Sequence, residues 1–432
     1  MPAGRNPAAA RKPPAGVKIY RVGGSVRDEL MGRPVVDRDW VVVGATPEEL
    51  LRSGFRPVGR DFPVFLHPQS REEYALARTE RKHGRGYRGF QLFTSPEVTL
   101  EQDLERRDLT INAMARADDG TLIDPFGGAA DLAAGVLRHV SKAFADDPLR
   151  VLRVARFAAR FGFAVAPETM VMMRALAKGG ELALLSPERV WQEVARGLME
   201  PHPSRLIAVL RDCGALGEVL PEVDALYGAR EPRAAHSEPD PGVDVARALD
   251  YAAAKGFGLA ARYAVLVHDL GNGESPTAAG SRQGRHEARN VRLADRLSAR
   301  LKVPIDCRDA GRLAARWHSA VQRADEVPPA MLLDLLTATD ALRRPERLEV
   351  LLAACECAAM SRSGASGLVY APAEVIRSAI ASVRAVGVAA IARQAAKEEN
   401  TDGDVIGAAI RKARLAALRA WRRARRGNRG TE

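Results

Sequence analysis

The run Val22-Gly23-Gly24-Ser25-Val26-Arg27-Asp28, followed shortly by Asp37-Arg38-Asp39 and the apolar run Trp40-Val41-Val42-Val43, sharply limits what this chain can fold into. A glycine pair ahead of a helix lets backbone N–H groups come close to a phosphate. Carboxylates at i and i+2 on a strand share one side, and the apolar run reads as that strand entering a core. Two like charges held together there cost free energy unless a cation neutralises them. Hard oxygen donors suit Mg²⁺, which takes its other ligands from water and substrate phosphates. The pattern implies an α/β unit performing metal-dependent phosphoryl or nucleotidyl transfer, with two metals.

Strand-like runs at Ile19–Val22, Trp40–Val43, Val64–Leu66 and Glu73–Arg78 alternate with short helices, and Thr46-Pro47-Glu48-Glu49 carries a helix start with proline in the first turn. From Asp147 the apolar residues Leu149, Leu152, Val154, Ala155, Phe157 and Ala158 fall at helical spacing, and the remainder reads as helical. A chain of 432 residues is too long for one ordinary core. The expected division is a flexible extension (1–16), an α/β head (17–140), a helical neck (141–226), a further helical domain (227–370) and a helical basic tail (371–432). Glycine, proline and charge cluster between Tyr227 and Gly242 as a linker, and Gly271 to Gly284 is a second irregular stretch.

The net charge of +11 implies a polyanionic partner or simply a basic surface. From Arg411 to Arg429 basic residues recur around Trp421, as in a basic amphipathic helix dissolving into a tail, open to RNA phosphates or to solvent. Cys213, Cys307, Cys355 and Cys357 form no CxxC pair, which excludes a disulfide framework or zinc finger as the expectation. No stretch approaches the roughly 20 apolar residues of a membrane span, and a reducing cytoplasm fits this composition.

The strings Lys18-Ile19-Tyr20-Arg21-Val22-Gly23-Gly24-Ser25-Val26-Arg27-Asp28, Asp37-Arg38-Asp39 and Val58-Gly59-Arg60-Asp61-Phe62-Pro63-Val64-Phe65-Leu66-His67 closely resemble the bacterial CCA-adding tRNA nucleotidyltransferases. So do Arg106-Arg107-Asp108-Leu109-Thr110-Ile111-Asn112-Ala113, Ile123-Asp124-Pro125-Phe126-Gly127-Gly128, Asp146-Asp147-Pro148-Leu149-Arg150 and Ser186-Pro187-Glu188-Arg189-Val190-Trp191. The resemblance covers residues 17 to about 225 and implies a polymerase-beta-like α/β nucleotidyltransferase head followed by an all-α neck, body and HD-like domain. Its implied substrates are the tRNA 3′ end, CTP and ATP, with Mg²⁺ as cofactor, no membrane, and a monomer or homodimer.

Residue by residue, the resemblance gives Asp37 and Asp39 to Mg²⁺, with Glu73 as a further carboxylate on a neighbouring strand. Gly24 and Arg27 match residues that contact the nucleotide phosphates, Arg107 a nucleotide-binding arginine, and Asp108 and Asn112 lie near the sugar. Asp147 and Arg150, at i, i+3 on one helix face, serve as a protein template for the base. A carboxylate accepts from the amino group shared by cytosine and adenine, and a guanidinium donates beside it, so uracil and guanine are rejected. Arg153 and Arg156 match further nucleotide-binding positions. The motif usually begins Glu-Asp; here it begins Asp146-Asp147, a change that bears on support more than on selectivity.

Beyond residue 225 only His268-Asp269-Leu270-Gly271 keeps a family pattern, that of an HD-type phosphohydrolase domain. Candidate partners there are His286, His318 and Asp340, around a second divalent ion, Ni²⁺ or Mn²⁺. Asp244 stands where that pattern has a histidine, and Asn272 where it has a lysine. The expectation is a retained fold with weak or absent hydrolysis. The sequence reading is therefore template-independent CCA addition to tRNA, against two rivals: a poly(A) polymerase, which shares head and neck, and an RNA-binding protein with a decayed catalytic head.

Overall fold

The computed structural model describes residues 16–35, 37–58, 64–82, 90–228, 240–273, 282–363, 369–397 and 403–429. The 1–16 extension up to residue 15, the Gly59–Pro63 part of one motif, and most of the Tyr227–Gly242 and Gly271–Gly284 stretches lie outside the described residues. The chain divides into two compact units, one of residues 1–197 and 205–219, the other of 198–204 and 220–432.

The first unit is built on a seven-stranded sheet. Its strands are β1 (Lys18–Val22), β2 (Asp39–Val43), β3 (Arg56–Val58), β4 (Val64–Leu66) and β5 (Glu73–Leu76). A separate hairpin, β6 (Arg78–Lys82) with β7 (Phe90–Thr94), precedes the last two, β8 (Ala115–Arg116) and β9 (Leu122–Ile123). The order across the sheet is β3-β4-β5-β2-β1-β8-β9. Within this sheet, among the described residues, only β2 and β5 pair parallel, in the register Asp39↔Glu73, Trp40↔Tyr74, Val41↔Ala75 and Val42↔Leu76. Alternation along β2 sends Val41 into one core, with Val22, Leu104 and Ala115, and Val42 into the other, with Leu50, Phe65 and Leu76. The polar end of β2 is thereby left at the sheet margin.

The helix Pro47–Arg52 starts as its sequence dictates, with Thr46 and Glu49 forming a reciprocal capping box. Strand β2, however, begins at Asp39, so Asp37 lies in the preceding loop and the two carboxylates do not share one strand. After a short parallel pair, β10 (Val136–Leu137) with β11 (Ala164–Val165), the unit is helical. Leu149–Phe161 has its inner face fully buried at Val151, Leu152, Val154, Ala155 and Ala158. A further correction concerns Asp147, which is not on this helix: it sits before it in extended conformation, and its Oδ1 accepts from Leu149 N at 3.1 Å.

The second unit is helical throughout its described residues. Leu259–Val267 is a core helix, with Tyr263 to Val267 entirely buried. Contrary to expectation, Ala371–Gln394 reaches the apolar length of a membrane span. The chain there folds as two helices, Ala371–Arg384 and Val388–Lys397, and the first buries Val375, Ile376, Ala379, Ile380 and Val383. Nor does the basic C-terminal segment dissolve into solvent. It is one helix, Gly403–Arg429, anchored by the buried Leu418 and by Arg422, which donates to the carbonyls of Ala324 and Asp325.

Candidate active site

The first unit holds a cleft of about 620 Å³ whose floor is the sheet margin. Val22 pairs with Asp39 across β1 and β2, so the glycine turn that follows Val22 opens beside that carboxylate. Gly23 has φ of +70°, a backbone conformation that favours glycine, and a Cβ on it would meet Arg107 Nη1 at 2.8 Å and displace that guanidinium. Gly128 answers a different need, because a Cβ there would overlap the carbonyl oxygen of Thr110 beneath the cleft-forming turn.

Asp39 and Glu73 stand side by side in the parallel register, and both line the cleft. Partial desolvation raises the Asp39 pKa, Arg107 opposes this, and the nearby Asp37 carboxylate adds to it. Asp37, Asp39 and Glu73 all keep an exposed surface, open to solvent and to an arriving cation. Among the described residues no three His, Cys, Asp or Glu side chains converge as a self-sufficient metal cage. Two carboxylates at a strand end nevertheless fit Mg²⁺, which is commonly held by one or two carboxylates with substrate phosphates and water completing the shell.

Above the carboxylates runs a continuous polar network. Arg27, buried against the rings of Phe157 and Phe161, donates to Asn112 Oδ1 and to Asp28. Asn112 Nδ2 donates to Asp108 Oδ1 at 3.0 Å, and Arg153 Nε donates to Asp108 Oδ2 at 2.7 Å. Burial alone would raise the Asp108 pKa, but Arg153, Asn112 and Arg150 together hold it well below the usual carboxylate range. Arg156 is fixed by Glu193 at 2.6 Å. Arg150 donates to the carbonyls of Ala143 and Arg106, both at 2.6 Å, and Asp147 Oδ2 takes Arg189 Nη2 at 2.7 Å.

The structure thus brings Gly24, Arg27, Asp39, Glu73, Arg107, Asp108, Asn112, Asp147, Arg150, Arg153 and Arg156 around one cleft. Sequence reasoning passed over Asp103, Arg189 and Glu193, which hold these groups in place. Asp103 had a visible signal, since it precedes Arg106 and Arg107 by three and four residues. Glu193 meets Arg156 across a separation that local pattern does not reveal.

In the second unit, His268 ends the helix Leu259–Val267 and Asp269 follows it. Asp269 Oδ1 is taken by His286 Nε2 at 2.7 Å and by Asn290 Nδ2 at 3.1 Å, and Oδ2 by Asn272 Nδ2 at 2.7 Å. His318 Nε2 lies 3.9 Å from Asp269, and its ring meets that of His268 edge-on with centroids 5.1 Å apart. Both rings direct Nδ1 at backbone carbonyls, of Val265 and Ala314. Burial and the neighbouring His268 push the His318 pKa down to about 4, whereas the Asp269 hydrogen bond raises that of His286. Asp244 is buried in the first turn of Pro241–Ala254. Asp340 is not a member of this cluster: it turns with positive φ at the end of Pro329–Ala338, and its carboxylate pairs with Arg343 at 2.7 Å. Among the described residues no three of these side chains are arranged as a ready metal cage, and the Asp269 oxygens are engaged by protein donors that a Ni²⁺ or Mn²⁺ ion would have to displace.

A carboxylate-bearing sheet margin, a glycine turn and an arginine-lined helical wall define a nucleotidyltransferase, and the Poly A polymerase head domain matches residues 19–138. The model described as the probable RNA and SrmB-binding site of polymerase A matches residues 162–227. The Multifunctional CCA protein of Nitrosospira multiformis is 55% identical over 381 residues, covering 88% of this chain and 92% of that protein. That of Pseudomonas aeruginosa is 53% identical over 412 residues, covering 95% and 99%. The chain belongs to this family of multifunctional CCA proteins and is a CCA tRNA nucleotidyltransferase. The fold is also that of the Bacillus stearothermophilus CCA-adding enzyme crystallised in complex with CTP, at a TM-score of 0.61, 24% identity, and 96% and 95% coverage of the two chains.

Proposed function

We propose that the chain adds CCA to the 3′ end of tRNA from CTP and ATP in the cytoplasm, releasing pyrophosphate, with its own side chains choosing the base. The observation that carries this reading is the register pair Asp39↔Glu73 beside the Val22–Gly23 turn, facing the arginine wall across one cleft. Residues 17–140 act as the catalytic head and 141–226 as the selecting neck.

Asp39 and Glu73, with Asp37 from the adjoining loop, would hold Mg²⁺. Bound there, it supplies Lewis-acid activation of the attacking hydroxyl and neutralisation of the phosphates. The glycine turn leaves room for a triphosphate, and Arg107, lying over Gly23, supplies a cation beside it. Asp147 accepts from the exocyclic amino group of cytosine or adenine. A carboxylate has about four lone-pair sites, so the Arg189 and Leu149 contacts orient Asp147 without exhausting it. Arg150 spends two donors on backbone carbonyls and retains others for the base. Arg153 and Arg156, fixed by Asp108 and Glu193, complete the wall on the nucleotide side.

The second unit retains the fold around His268 and Asp269 without phosphohydrolase activity of consequence; the hydrogen bonds that engage Asp269 support this. The deciding experiment supplies the purified protein with tRNA truncated before CCA, Mg²⁺ and each nucleotide separately, and reads product length at nucleotide resolution. Addition of two C and then one A is expected. Extended A tracts would establish the poly(A) polymerase rival, and no product with any nucleotide the decayed head.

A further inference from the structure

Among the described residues of the first unit, Asp103 is the carboxylate that is wholly shut off from solvent while touching two arginines of the cleft wall. Its Oδ1 accepts from Arg106 Nη2 at 2.6 Å and from the Arg78 backbone N–H at 3.3 Å. Its Oδ2 accepts from Arg107 Nη2 at 3.2 Å. The other arm of Arg107, Nη1, donates to the Asn112 carbonyl at 3.3 Å and lies 2.8 Å from where a Cβ on Gly23 would be. The guanidinium is therefore pinned on two edges and laid across the glycine turn, next to Asp39.

We propose that Asp103 is a positioning residue for nucleotide binding: it fixes Arg107 over the Gly23 turn so that the cation meets the incoming triphosphate already oriented. The inference rests on the assignment of Arg107 to the nucleotide. An arginine carries considerable rotamer entropy, and fixing it beforehand removes that cost from binding. Burial on its own would raise the Asp103 pKa, but Arg107 and Arg106 outweigh it and keep the group ionised. Arg106 and the Arg78 N–H hold Oδ1, so the carboxylate cannot swing away when Arg107 moves.

Asp103→Asn preserves shape but removes the charge, and whichever way the amide is turned an N–H faces an N–H, toward Arg107 or toward Arg106 and Arg78. KM for CTP and ATP should rise roughly 10- to 100-fold, the range of a charged hydrogen bond, with kcat changed less than about threefold, the pattern of lost uniform binding. KM is independent of the fraction of folded protein, so partial loss of stability does not imitate this result. The readout is a double-mutant cycle with Arg107→Gln. If Arg107→Gln raises KM and Asp103→Asn adds little on top of it, the positioning role holds. Should Asp103→Asn not accumulate as folded protein, Asp103→Glu carries the same cycle, because it keeps the charge but displaces it by one methylene. An unchanged KM in the Asp103 variant, or full additivity with Arg107→Gln, overturns the proposal. An unchanged KM in Arg107→Gln alone instead overturns the assignment of Arg107 on which it rests.

Discussion

The cleft of the first unit and the His268–Asp269 cluster of the second use similar side chains to opposite ends. In the cleft, Asp39 and Glu73 lie side by side, and their carboxylates enter no ion pair among the described residues. In the cluster, Asp269 is engaged on both oxygens by His286, Asn290 and Asn272. Carboxylates set beside one another without a counter-charge repel until a cation arrives; one answered by protein N–H groups already has its stabilisation. The difference teaches that carboxylate content does not define a metal site. What matters is whether the fold has supplied the counter-charge itself.

The largest effect that can break this comparison is at the sheet margin. Asp39→Ala should lower CTP incorporation by about a thousandfold or more, the scale of a metal-supplied charge of several kcal/mol, with circular dichroism unchanged. Near wild-type incorporation at ordinary Mg²⁺ would place the metal elsewhere. Next in size is base choice. Asp147→Ala should reduce preference for CTP and ATP over UTP and GTP by roughly 5- to 150-fold, equivalent to ~1–3 kcal/mol of discrimination, and competition between nucleotides on one tRNA measures it. A preserved preference would return Asp147 to a purely structural pairing with Arg189.

The cluster is tested on stability. Asp269→Ala leaves three donors without their acceptor and should cost about 1–3 kcal/mol in denaturant unfolding, while CCA addition persists. Adding Ni²⁺ or Mn²⁺ to the unaltered protein should leave its midpoint unmoved and produce no hydrolysis of 2′,3′-cyclic phosphates; a metal-dependent rise in either would reverse the contrast.

The smallest expected effect sharpens the comparison within the cleft, where Asp108 is itself a satisfied carboxylate. Its folded pKa lies below the unfolded value of about 3.9. It therefore contributes stability that is fully present above that value and is lost as pH falls through the folded one. Asp108→Asn should be less stable than the parent at pH 7, and the gap should narrow below about pH 4. Urea unfolding at the two pH values checks this, and a gap that widens in acid would contradict it.

Much of the first unit was legible because its determinants are local. The glycine pair, the Thr46–Glu49 capping box and the strand runs each act within a few residues, where backbone conformation and side-chain period leave few choices. The same local reading put Asp37 and Asp39 on one strand and Asp147 and Arg150 on one helix. Neither holds, because β2 takes its start from pairing with β1 and β5, and Asp147 stops at the helix entrance to cap Leu149 N.

The sequence alone determined which chemical groups the chain owns and, through local backbone preference, roughly where strands and helices form. Only the tertiary structure decided which carboxylates face a cleft and which are answered from within. It set Asp103 under Arg107 and Glu193 against Arg156, left Asp340 to Arg343 outside the histidine cluster, and gave the basic terminal helix a buried Leu418 and Arg422. The physical reason is that a hydrogen bond or ion pair has value only at a distance of a few ångströms, and distances between residues far apart in sequence are fixed by how the helices and sheet pack.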